Sequence, residues 1–462
     1  MAGRRKAYDL VVLGGGPAGL AGAATAAKFG KSVAVIEAAS ELGGAGINTG
    51  TVPSKTLRET ALTLSGVRSR KLHGVDLSLR RDATVADFLH HERTVKAGLH
   101  EMVEETFRGS NADVYQGTGE FEDPHTIRVL PGGTSIHGDR ILIATGSSPV
   151  RPDIFPADCN RIYDSDTILA LHEMPKKLAV VGAGTIGCEY ACIFAALSTE
   201  VHVIDGRSEA LSFLDAEVAS AVQAVMERNG VQFHWRERVC ACHVNRENEI
   251  ELSLSSGARF AADAAFIAAG RKSNTDRLNL AAAGITPGER GLIRVDKRFR
   301  TPVSHIYAAG DVIGPPALAS TGMEQARRAM RHAFAANNGS DIAGILPAGV
   351  YTIPEAAMAG ETEEALKSSG VPYVVGRGSY DHNPRGKIIG DSYGFLKLLV
   401  GRQDHKLLGV HVLGEQATEL VHIGLIAMLC DATVRLFDEA CFNLPTLGQL
   451  YKTAALDAMR QL

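Results

Sequence analysis

Residues 8–37 read YDLVVLGGGPAGLAGAATAAKFGKSVAVIE: a short apolar segment, a glycine-rich turn, an alanine-rich segment and a second apolar segment ending in an acid. This order predicts a strand, a tight turn, a helix and a second strand. Gly14, Gly16 and Gly19 follow the spacing G-x-G-x-x-G, and Glu37 stands 23 residues after the first of them. The glycines permit a sharp turn, close approach of a pyrophosphate and tight helix packing, while the acid accepts hydrogen bonds from a ribose. The segment therefore predicts a dinucleotide-binding fold.

A second copy of the pattern occupies residues 178–205, LAVVGAGTIGCEYACIFAALSTEVHVID. Its glycines are Gly182, Gly184 and Gly187, and its acid, Asp205, again follows the first glycine by 23 residues. One glycine motif alone is weak evidence, because glycine-rich turns also serve plain packing. Two complete copies in the same strand–turn–helix–strand context predict either two bound dinucleotides or one dinucleotide and a degenerate copy.

The composition is that of a globular protein of about three domains. Among 462 residues, 45% are hydrophobic and 22% are charged, and 48 Lys+Arg against 52 Asp+Glu give a net charge of −4. This balance offers no basic field for nucleic acid, and no run of about 18 apolar residues predicts a membrane span. Seven cysteines are too few for a disulfide scaffold in so long a chain, and we expect a cytoplasmic protein with reduced thiols.

Further segments extend the organisation. Residues 140–149 predict a strand running into Thr145 and Gly146, and residues 306–312 predict a strand that ends near Asp311, at the edge where ligands bind open α/β sheets. We assign residues 1–154 and 273–340 to the first nucleotide domain, 155–272 to the second and 341–462 to a C-terminal interface domain. A helical excursion is expected from 53 to about 107, strands near 394–400 and 407–413, and a helix over 417–430.

These segments, in this order, resemble the FAD-dependent pyridine nucleotide–disulfide oxidoreductases over essentially the whole chain. The resemblance implies an α/β fold with two Rossmann-like domains, for FAD and NAD(P), an α+β dimerisation domain, and a homodimer or larger homo-oligomer. It also implies that Lys55 lies beside flavin N5 and pairs with Glu189 as the catalytic residues. We expect no metal, because Cys240, Cys242 and His243 lack the second pair of ligands that tetrahedral coordination needs. The implied FAD residues are Gly14, Gly16, Gly19, Glu37, Gly44, Thr51, Lys55, Gly119, Thr145, Gly146, Asp311, Leu318 and Ala319; those for NAD(P) are Gly182, Gly184, Gly187, Glu189, Asp205, Arg207 and Gly270.

The chain departs from this family at its redox centre. The family run G-G-x-C-x-x-x-x-C-x-P-S-K is GGAGINTGTVPSK at 43–55, so Gly46 and Thr51 replace both cysteines. The C-terminal His-Pro-Thr-x-x-Glu of the family is LPTLGQ at 444–449, so the base is Leu444 and its orienting acid is Gln449. Dithiol chemistry lacks its thiolates and its base here.

What remains is a hydride route between nicotinamide and flavin. The run GTVPSK at 50–55 is similar to that of one subgroup, the soluble pyridine nucleotide transhydrogenases of the Si-specific type, although that subgroup usually keeps the first cysteine. The resemblance implies ping-pong transfer between NADPH and NAD⁺ through flavin N5, without a redox disulfide. Two alternatives stay open: an NAD(P)H dehydrogenase (diaphorase) that reduces a quinone or another small acceptor, and a catalytically idle FAD-binding redox-sensing or assembly protein.

Asp205 and Arg207 are the residues predicted to determine whether NAD or NADP binds. An acid at this position favours the ribose 2′-hydroxyl of NAD, whereas a nearby arginine accommodates the 2′-phosphate of NADP. Tolerance of both coenzymes is one interpretation, and a simple ion pair within a solvated loop is the other. Cys188 and Cys192, on the helix of the second copy, are more typical of small hydrophobic core residues than of a relocated redox pair.

Overall fold

The first glycine turn lies in a mixed sheet whose parallel centre is buried. The computed structural model describes residues 6–65, 84–108, 112–245, 249–334 and 344–462. The elements of this first part are β1 (Lys6–Leu13), α1 (Pro17–Lys28), β2 (Val33–Glu37), α2 (Gly44–Asn48), α3 (Thr51–Leu64), α4 (Val85–Arg108), β3 (Ala112–Gln116), β4 (Thr118–Asp123), β5 (Thr126–Leu130), β6 (Thr134–Ile143) and β7 (Ser147–Pro149). The strand order is β3-β2-β1-β6-β5-β4, in which β1, β2, β3 and β6 are parallel and β4 and β5 join as an antiparallel extension.

The second glycine turn lies in a parallel sheet of its own. Its part of the chain contains β8 (Ile162–Tyr163), β9 (Lys177–Val181), α5 (Thr185–Ala196), β10 (Glu200–Asp205), α6 (Ala216–Arg228), β11 (Val231–Trp235), β12 (Val239–Val244), β13 (Ile250–Leu254), β14 (Arg259–Ala262), β15 (Ala264–Ile267) and β16 (Arg271–Ser273). The order is β11-β10-β9-β15-β8, while β12, β13 and β14 form a small antiparallel sheet. The predicted α/β class with two Rossmann-like units is confirmed.

The chain then returns to the first sheet. β17 (Ile306–Ala308) pairs in parallel with β6, and α7 (Ala319–Phe334) follows it. β16 pairs with β7, so the two chain segments that connect the nucleotide folds lie side by side. The predicted domain boundaries at residues 154, 272 and 340 stay predictions, and the last of them lies outside the described residues.

An antiparallel sheet covered by helices forms the C-terminal part. It consists of β18 (Ala348–Val350), β19 (Ala356–Gly360), α8 (Glu363–Ser369), β20 (Tyr373–Ser379), α9 (Pro384–Ile389), β21 (Phe395–Gly401), β22 (Leu407–Leu413), α10 (Ala417–Leu429), α11 (Arg435–Glu439) and α12 (Gln449–Met459). The strand order is β18-β19-β22-β21-β20. The expected strands near 394–400 and 407–413 and the helix over 417–430 correspond to β21, β22 and α10 within one residue at each end.

The helical excursion predicted from 53 to 107 contains the separate helices α3 and α4. The Thr84 N–H donates to Asp87 Oδ2 at 2.9 Å and the Asp87 N–H donates to Thr84 Oγ1 at 3.3 Å, a reciprocal cap that sets the start of α4. None of the helices in the described residues has the length and apolarity that a bilayer span requires.

A buried lysine ties the second nucleotide fold to the C-terminal sheet. Lys397 of β21 is fully buried, and its ammonium lies 2.7 Å from Asp215, 2.9 Å from Glu217 and 2.5 Å from Glu363. Burial by itself would lower the pKa of Lys397, but the three carboxylates outweigh it and raise the pKa. Burial would raise the pKa of Glu363, but hydrogen bonds from Lys397 and Tyr373 lower it to about 2. The stabilisation by Glu363 is therefore present above about pH 4.5 and is lost as the pH falls towards 2.

Removing the central ammonium should destabilise the protein. We expect Lys397→Met to lower the free energy of unfolding by about 3–5 kcal/mol, because it leaves the buried carboxylate of Asp215, with the half-buried Glu217 and Glu363 beside it, without a counter-charge. The matched control is Lys367→Met, which removes an exposed lysine 3.2 Å from the same Glu363 and should cost less than about 1 kcal/mol. Urea unfolding followed by circular dichroism measures both, and equal losses in the two variants would contradict the role given to Lys397.

Candidate active site

The first glycine turn is built on backbone contacts that leave no room for side chains. Gly14 has a φ of +103°, and a Cβ placed on it would overlap the carbonyl oxygen of Ala144. A Cβ on Gly19 would overlap the carbonyl oxygen of Gly14. Strand β1, the turn and the first turn of α1 can therefore approach one another only with glycine at these positions. The N-terminus of α1 is left without a side-chain cap, so its amides are free to bind an anion.

The second turn repeats this geometry. Gly182 has a φ of +112° and lies against the carbonyl of Ala268, and a Cβ on Gly187 would overlap the carbonyl oxygen of Gly182. A Cβ on Gly184 would meet nothing within 4 Å, so the approach to the N-terminus of α5 is open. Gly270, which follows β15, adopts a φ of +108°. The predicted NAD(P) glycines thus line the carboxyl edge of the second sheet.

Each acid is held by the glycine turn of its own copy. The Gly15 N–H donates to Glu37 Oε2 at 2.6 Å, and the Ala183 N–H donates to Asp205 Oδ2 at 2.7 Å. These bonds place both carboxylates at the carboxyl ends of β2 and β10, where a ribose bound across the turn would lie.

A cavity of about 620 Å³ opens at the first turn. Its size is within the usual range for ligand sites. Most residues predicted to bind FAD line it, although Gly19 and Lys55 do not. The predicted residues in its wall are Gly14, Gly16, Glu37, Gly44, Thr51, Gly119, Thr145, Gly146, Asp311, Leu318 and Ala319.

The wall of this cavity fits a dinucleotide such as FAD. A Cβ on Gly44 would lie 2.7 Å from the Cα of Gly16, so the floor beside the turn consists of bare backbone. Thr145 Oγ1 is buried and has no hydrogen-bond partner within the described residues, which is expected of a group that a ligand satisfies. Two helix N-termini, those of α1 and α7, face the cavity through Pro17 and Ala319. Backbone amides, helix dipoles and an acid for a ribose are the groups that hold a dinucleotide.

Asp311 is positioned by partners that the sequence did not reveal. Ser147 Oγ donates to Asp311 Oδ2 at 2.7 Å, and Arg271 Nε donates to Ser147 Oγ at 2.8 Å. Arg271 and Ser147 lie on the paired strands β16 and β7. This chain of hydrogen bonds therefore depends on the pairing of the two segments that connect the nucleotide folds. The cavity wall also contains polar residues that were not among the predicted FAD ligands: Asn48, Thr49, Thr118, Ser147, Ser148, Asp166, Asn274, Asp276 and Arg277.

Lys55 and Glu189 meet as an ion pair beside the cavity rather than in its wall. Lys55 Nζ donates to Glu189 Oε2 at 2.6 Å, and the Tyr351 N–H donates to Glu189 Oε1 at 2.9 Å. The ammonium also lies 4.7 Å from the centre of the Tyr351 ring. Glu189 is buried, whereas 27% of the Lys55 side chain is exposed. Thr51, one helical turn earlier on α3, is the cavity-lining residue next to this pair.

No thiol occupies the positions of the family's redox pair. A Cβ on Gly46 would lie 2.5 Å from Cγ of Pro17, so α2 approaches the start of α1 closely at this position. Cys188 and Cys192 are buried on α5, and burial raises the pKa of both thiols, that of Cys192 to about 12. Buried thiols that stay protonated do not act as nucleophiles.

Asp205 and Arg207 form an ion pair. Arg207 Nε donates to Asp205 Oδ1 at 3.0 Å and Nη2 donates to Oδ2 at 2.8 Å. Burial would raise the pKa of Asp205, but the bonds from Arg207 and from the Ala183 amide outweigh it and lower the pKa. The loop ion pair considered from the sequence is therefore present, and it holds Arg207 against Asp205 at the carboxyl end of β10.

Comparisons with known proteins agree with this architecture. Residues 8–333 match the family model of pyridine nucleotide-disulphide oxidoreductases, and residues 346–455 match the dimerisation domain of that family. A protein named soluble pyridine nucleotide transhydrogenase from Mycobacterium tuberculosis (strain ATCC 25177 / H37Ra) is 45% identical over 459 residues, 98% of each chain. One of the same name from Marinomonas sp. (strain MWYL1) is 38% identical over 461 residues, 98% of this chain and 99% of the other.

Solved structures have the same fold. LpdA from Mycobacterium tuberculosis superposes with a TM-score of 0.90 at 26% identity, covering 99% of this chain and 100% of the other. The HOCl-induced flavoprotein disulfide reductase RclA from Escherichia coli gives a TM-score of 0.88 at 28% identity, with 97% and 99% covered. With the paired glycine turns and the C-terminal sheet, these matches establish that the chain belongs to the pyridine nucleotide–disulphide oxidoreductase family.

Proposed function

We propose that this protein is an FAD-dependent transhydrogenase that transfers hydride between NADPH and NAD⁺. The observation that carries the proposal is the combination of two complete dinucleotide turns with Gly46 and Thr51 at the positions of the redox cysteines. Such a site retains the groups that bind two dinucleotides but lacks a thiol to which electrons from the first could pass. The relatives named soluble pyridine nucleotide transhydrogenase support the same activity.

The residues of the first cavity would hold FAD. The turn of Gly14, Gly16 and Gly19 and the N-terminus of α1 would hold the pyrophosphate, Glu37 would accept a hydrogen bond from the adenosine ribose, and Asp311 would accept one from the ribityl chain. When bound, FAD supplies a ring that takes up and releases hydride, so that two pyridine nucleotides can react in turn without a protein nucleophile. The turn of Gly182, Gly184 and Gly187 would bind either coenzyme.

Lys55 and Glu189 would position charge at the reacting centre. Glu189 neutralises the ammonium and, with the Tyr351 amide, fixes its location. A cation held in this way stabilises negative charge that develops next to it and needs no reorganisation when the charge appears. Neither residue has to exchange a proton for hydride transfer to occur.

The C-terminal sheet would form a homodimer. Its helices expose apolar side chains that include Ile426 at 58%, and Leu444 in the following loop is exposed at 69%. Exposed apolar residues on a domain that matches a dimerisation family are expected to be covered by a second copy. All seven cysteines are free thiols, which agrees with a reducing compartment, and we place the protein in the cytoplasm.

The proposed reaction predicts a two-step exchange of hydride. On anaerobic mixing in a stopped-flow instrument, NADPH should bleach the flavin absorbance, and NAD⁺ added next should restore it at a rate that supports turnover. NADH followed by a thio-analogue of NADP⁺ provides the reverse control. Rapid restoration by a quinone but not by NAD⁺ would assign the chain to the NAD(P)H dehydrogenases instead.

Turnover should be independent of thiols. The NADH-reduced protein should have no thiolate-to-flavin charge-transfer band, because positions 46 and 51 carry no sulfur. Iodoacetamide should label the exposed Cys240, Cys430 and Cys441 without loss of activity. Inactivation by the label with FAD retained would contradict the thiol-free route.

Removing the ammonium of Lys55 should slow flavin reduction by either coenzyme. A hydrogen bond to a charged group contributes about 1.5–3 kcal/mol, so Lys55→Met should reduce the rate by about ten- to a hundredfold while FAD stays bound. The double variant Lys55→Met/Glu189→Gln removes the unpaired carboxylate as well. It should regain stability relative to Lys55→Met but not the rate, whereas recovery of both would indicate a purely structural pair.

A further inference from the structure

The carboxylate of Asp205 has no acceptor position left for a coenzyme. Oδ1 accepts the Arg207 N–H at 2.8 Å and Arg207 Nε at 3.0 Å. Oδ2 accepts the Ala183 N–H at 2.7 Å and Arg207 Nη2 at 2.8 Å. A carboxylate offers about four lone-pair positions, and all of them are in use.

A bound ribose must therefore displace part of this network. The two backbone donors belong to the glycine turn and to the loop itself, so the guanidinium of Arg207 is the group that can leave. For NAD(H), the 2′-hydroxyl takes an acceptor position that Arg207 vacates. For NADP(H), the 2′-phosphate attracts the same guanidinium away from Asp205. Arg207 is 46% exposed, so it has space into which to move.

The charge of Arg207 alone is too small to neutralise the 2′-phosphate of NADP(H) beside Asp205. A phosphate monoester carries a charge of about −1.5 to −2 at neutral pH, and Asp205 adds another negative charge beside it. One guanidinium leaves most of this charge uncompensated. A second cation is required for tight binding of the phosphorylated coenzyme.

Arg238 lies at the right place to provide it. The loop after β11 is bonded to the Asp205 loop, since the Arg236 N–H donates to the Arg207 carbonyl at 3.0 Å and the Glu237 N–H donates to the Asp205 carbonyl at 3.1 Å. The side chain of Arg238 passes over Gly206, and a Cβ on that glycine would lie 3.0 Å from Arg238 Nε.

The guanidinium of Arg238 is exposed and has no hydrogen-bond or ion-pair partner among the residues that the structure describes. The adjacent acid does not neutralise it, because Glu237 Oε2 accepts from Ser255 Oγ at 2.8 Å and from the Ser256 N–H at 3.1 Å. A free guanidinium thus lies over Gly206, the residue between Asp205 and Arg207.

We propose that Arg238 is a specificity residue that binds the 2′-phosphate of NADP(H) together with a displaced Arg207, while Asp205 serves NAD(H). The inference rests on the proposed use of both coenzymes. It assigns the two substrates to two arrangements of one loop: in one, Asp205 bonds the 2′-hydroxyl, and in the other, two guanidiniums flank the phosphate.

Calorimetry on the FAD-saturated full-length protein tests this without turnover. The probes are adenosine 2′,5′-bisphosphate and 5′-AMP, which differ in the 2′-phosphate. Arg238→Ala should raise the ratio of their dissociation constants (bisphosphate over 5′-AMP) by about ten- to a hundredfold. The matched control is Arg259→Ala, which removes the same charge from β14 of the same part of the chain, where Arg259 pairs with Glu251 at 3.3 Å. An unchanged ratio in Arg238→Ala, or equal affinity of the wild type for the two probes, overturns the proposal.

Arg207→Ala supplies the second arm. It frees two acceptor positions of Asp205 and removes one phosphate ligand, so 5′-AMP should bind more tightly and the bisphosphate more weakly. Weaker binding of both probes would show that Arg207 only supports the loop and would overturn the displacement. Flavin reduction by NADPH and by NADH is measured separately in the wild type. A failure of that reaction contradicts the proposed function, whereas the calorimetric ratio tests the role of Arg238 independently.

Discussion

The close approach of backbone to backbone at the two glycine turns is the constraint on which the rest of this molecule depends. In both copies the third glycine touches the carbonyl of the first, and the first touches the carbonyl of the neighbouring strand. No side chain fits at these contacts. They bring a strand end, a helix N-terminus and a carboxylate to one point, and a dinucleotide site requires these three elements together.

Each copy uses its acid first as a structural group. Glu37 and Asp205 accept amide hydrogen bonds from the turns they face, so the chain itself anchors both carboxylates. Both acids also accept the amide two residues further on, that of Ala39 or of Arg207, and the copies diverge because Asp205 holds the Arg207 side chain as well. A carboxylate that is already fully bonded turns ribose recognition into an exchange of partners, and this makes one loop suitable for two coenzymes.

The two positions of the family's redox cysteines differ in the space they offer. Gly46 lies tightly against Pro17, and both Gly46 and Thr51 line the cavity. The ion pair of Lys55 and Glu189 is retained between α3 and α5, and the Tyr351 amide from the C-terminal part completes it. Three distant segments thus maintain a charged pair next to a cavity that has no thiol.

The sequence alone determined the two nucleotide folds and the absence of the family's redox cysteines, because glycine spacing and residue identity are local properties of the chain. The pairing of Lys55 with Glu189 followed from the family resemblance, which carries the contact over from related chains. The sequence also located β21, β22 and α10, which are apolar runs: both strands are buried along nearly their whole length, and α10 is rich in apolar residues on most of its faces. Only the tertiary structure decided how Ser147 and Arg271 support Asp311, how Lys397 gathers carboxylates from two parts of the chain, and how Arg238 comes to lie over Gly206. Each of these contacts joins residues that are far apart in sequence or lie in separate loops. A local pattern of residue types does not predict such contacts, because they depend on how the strands pair in the folded chain.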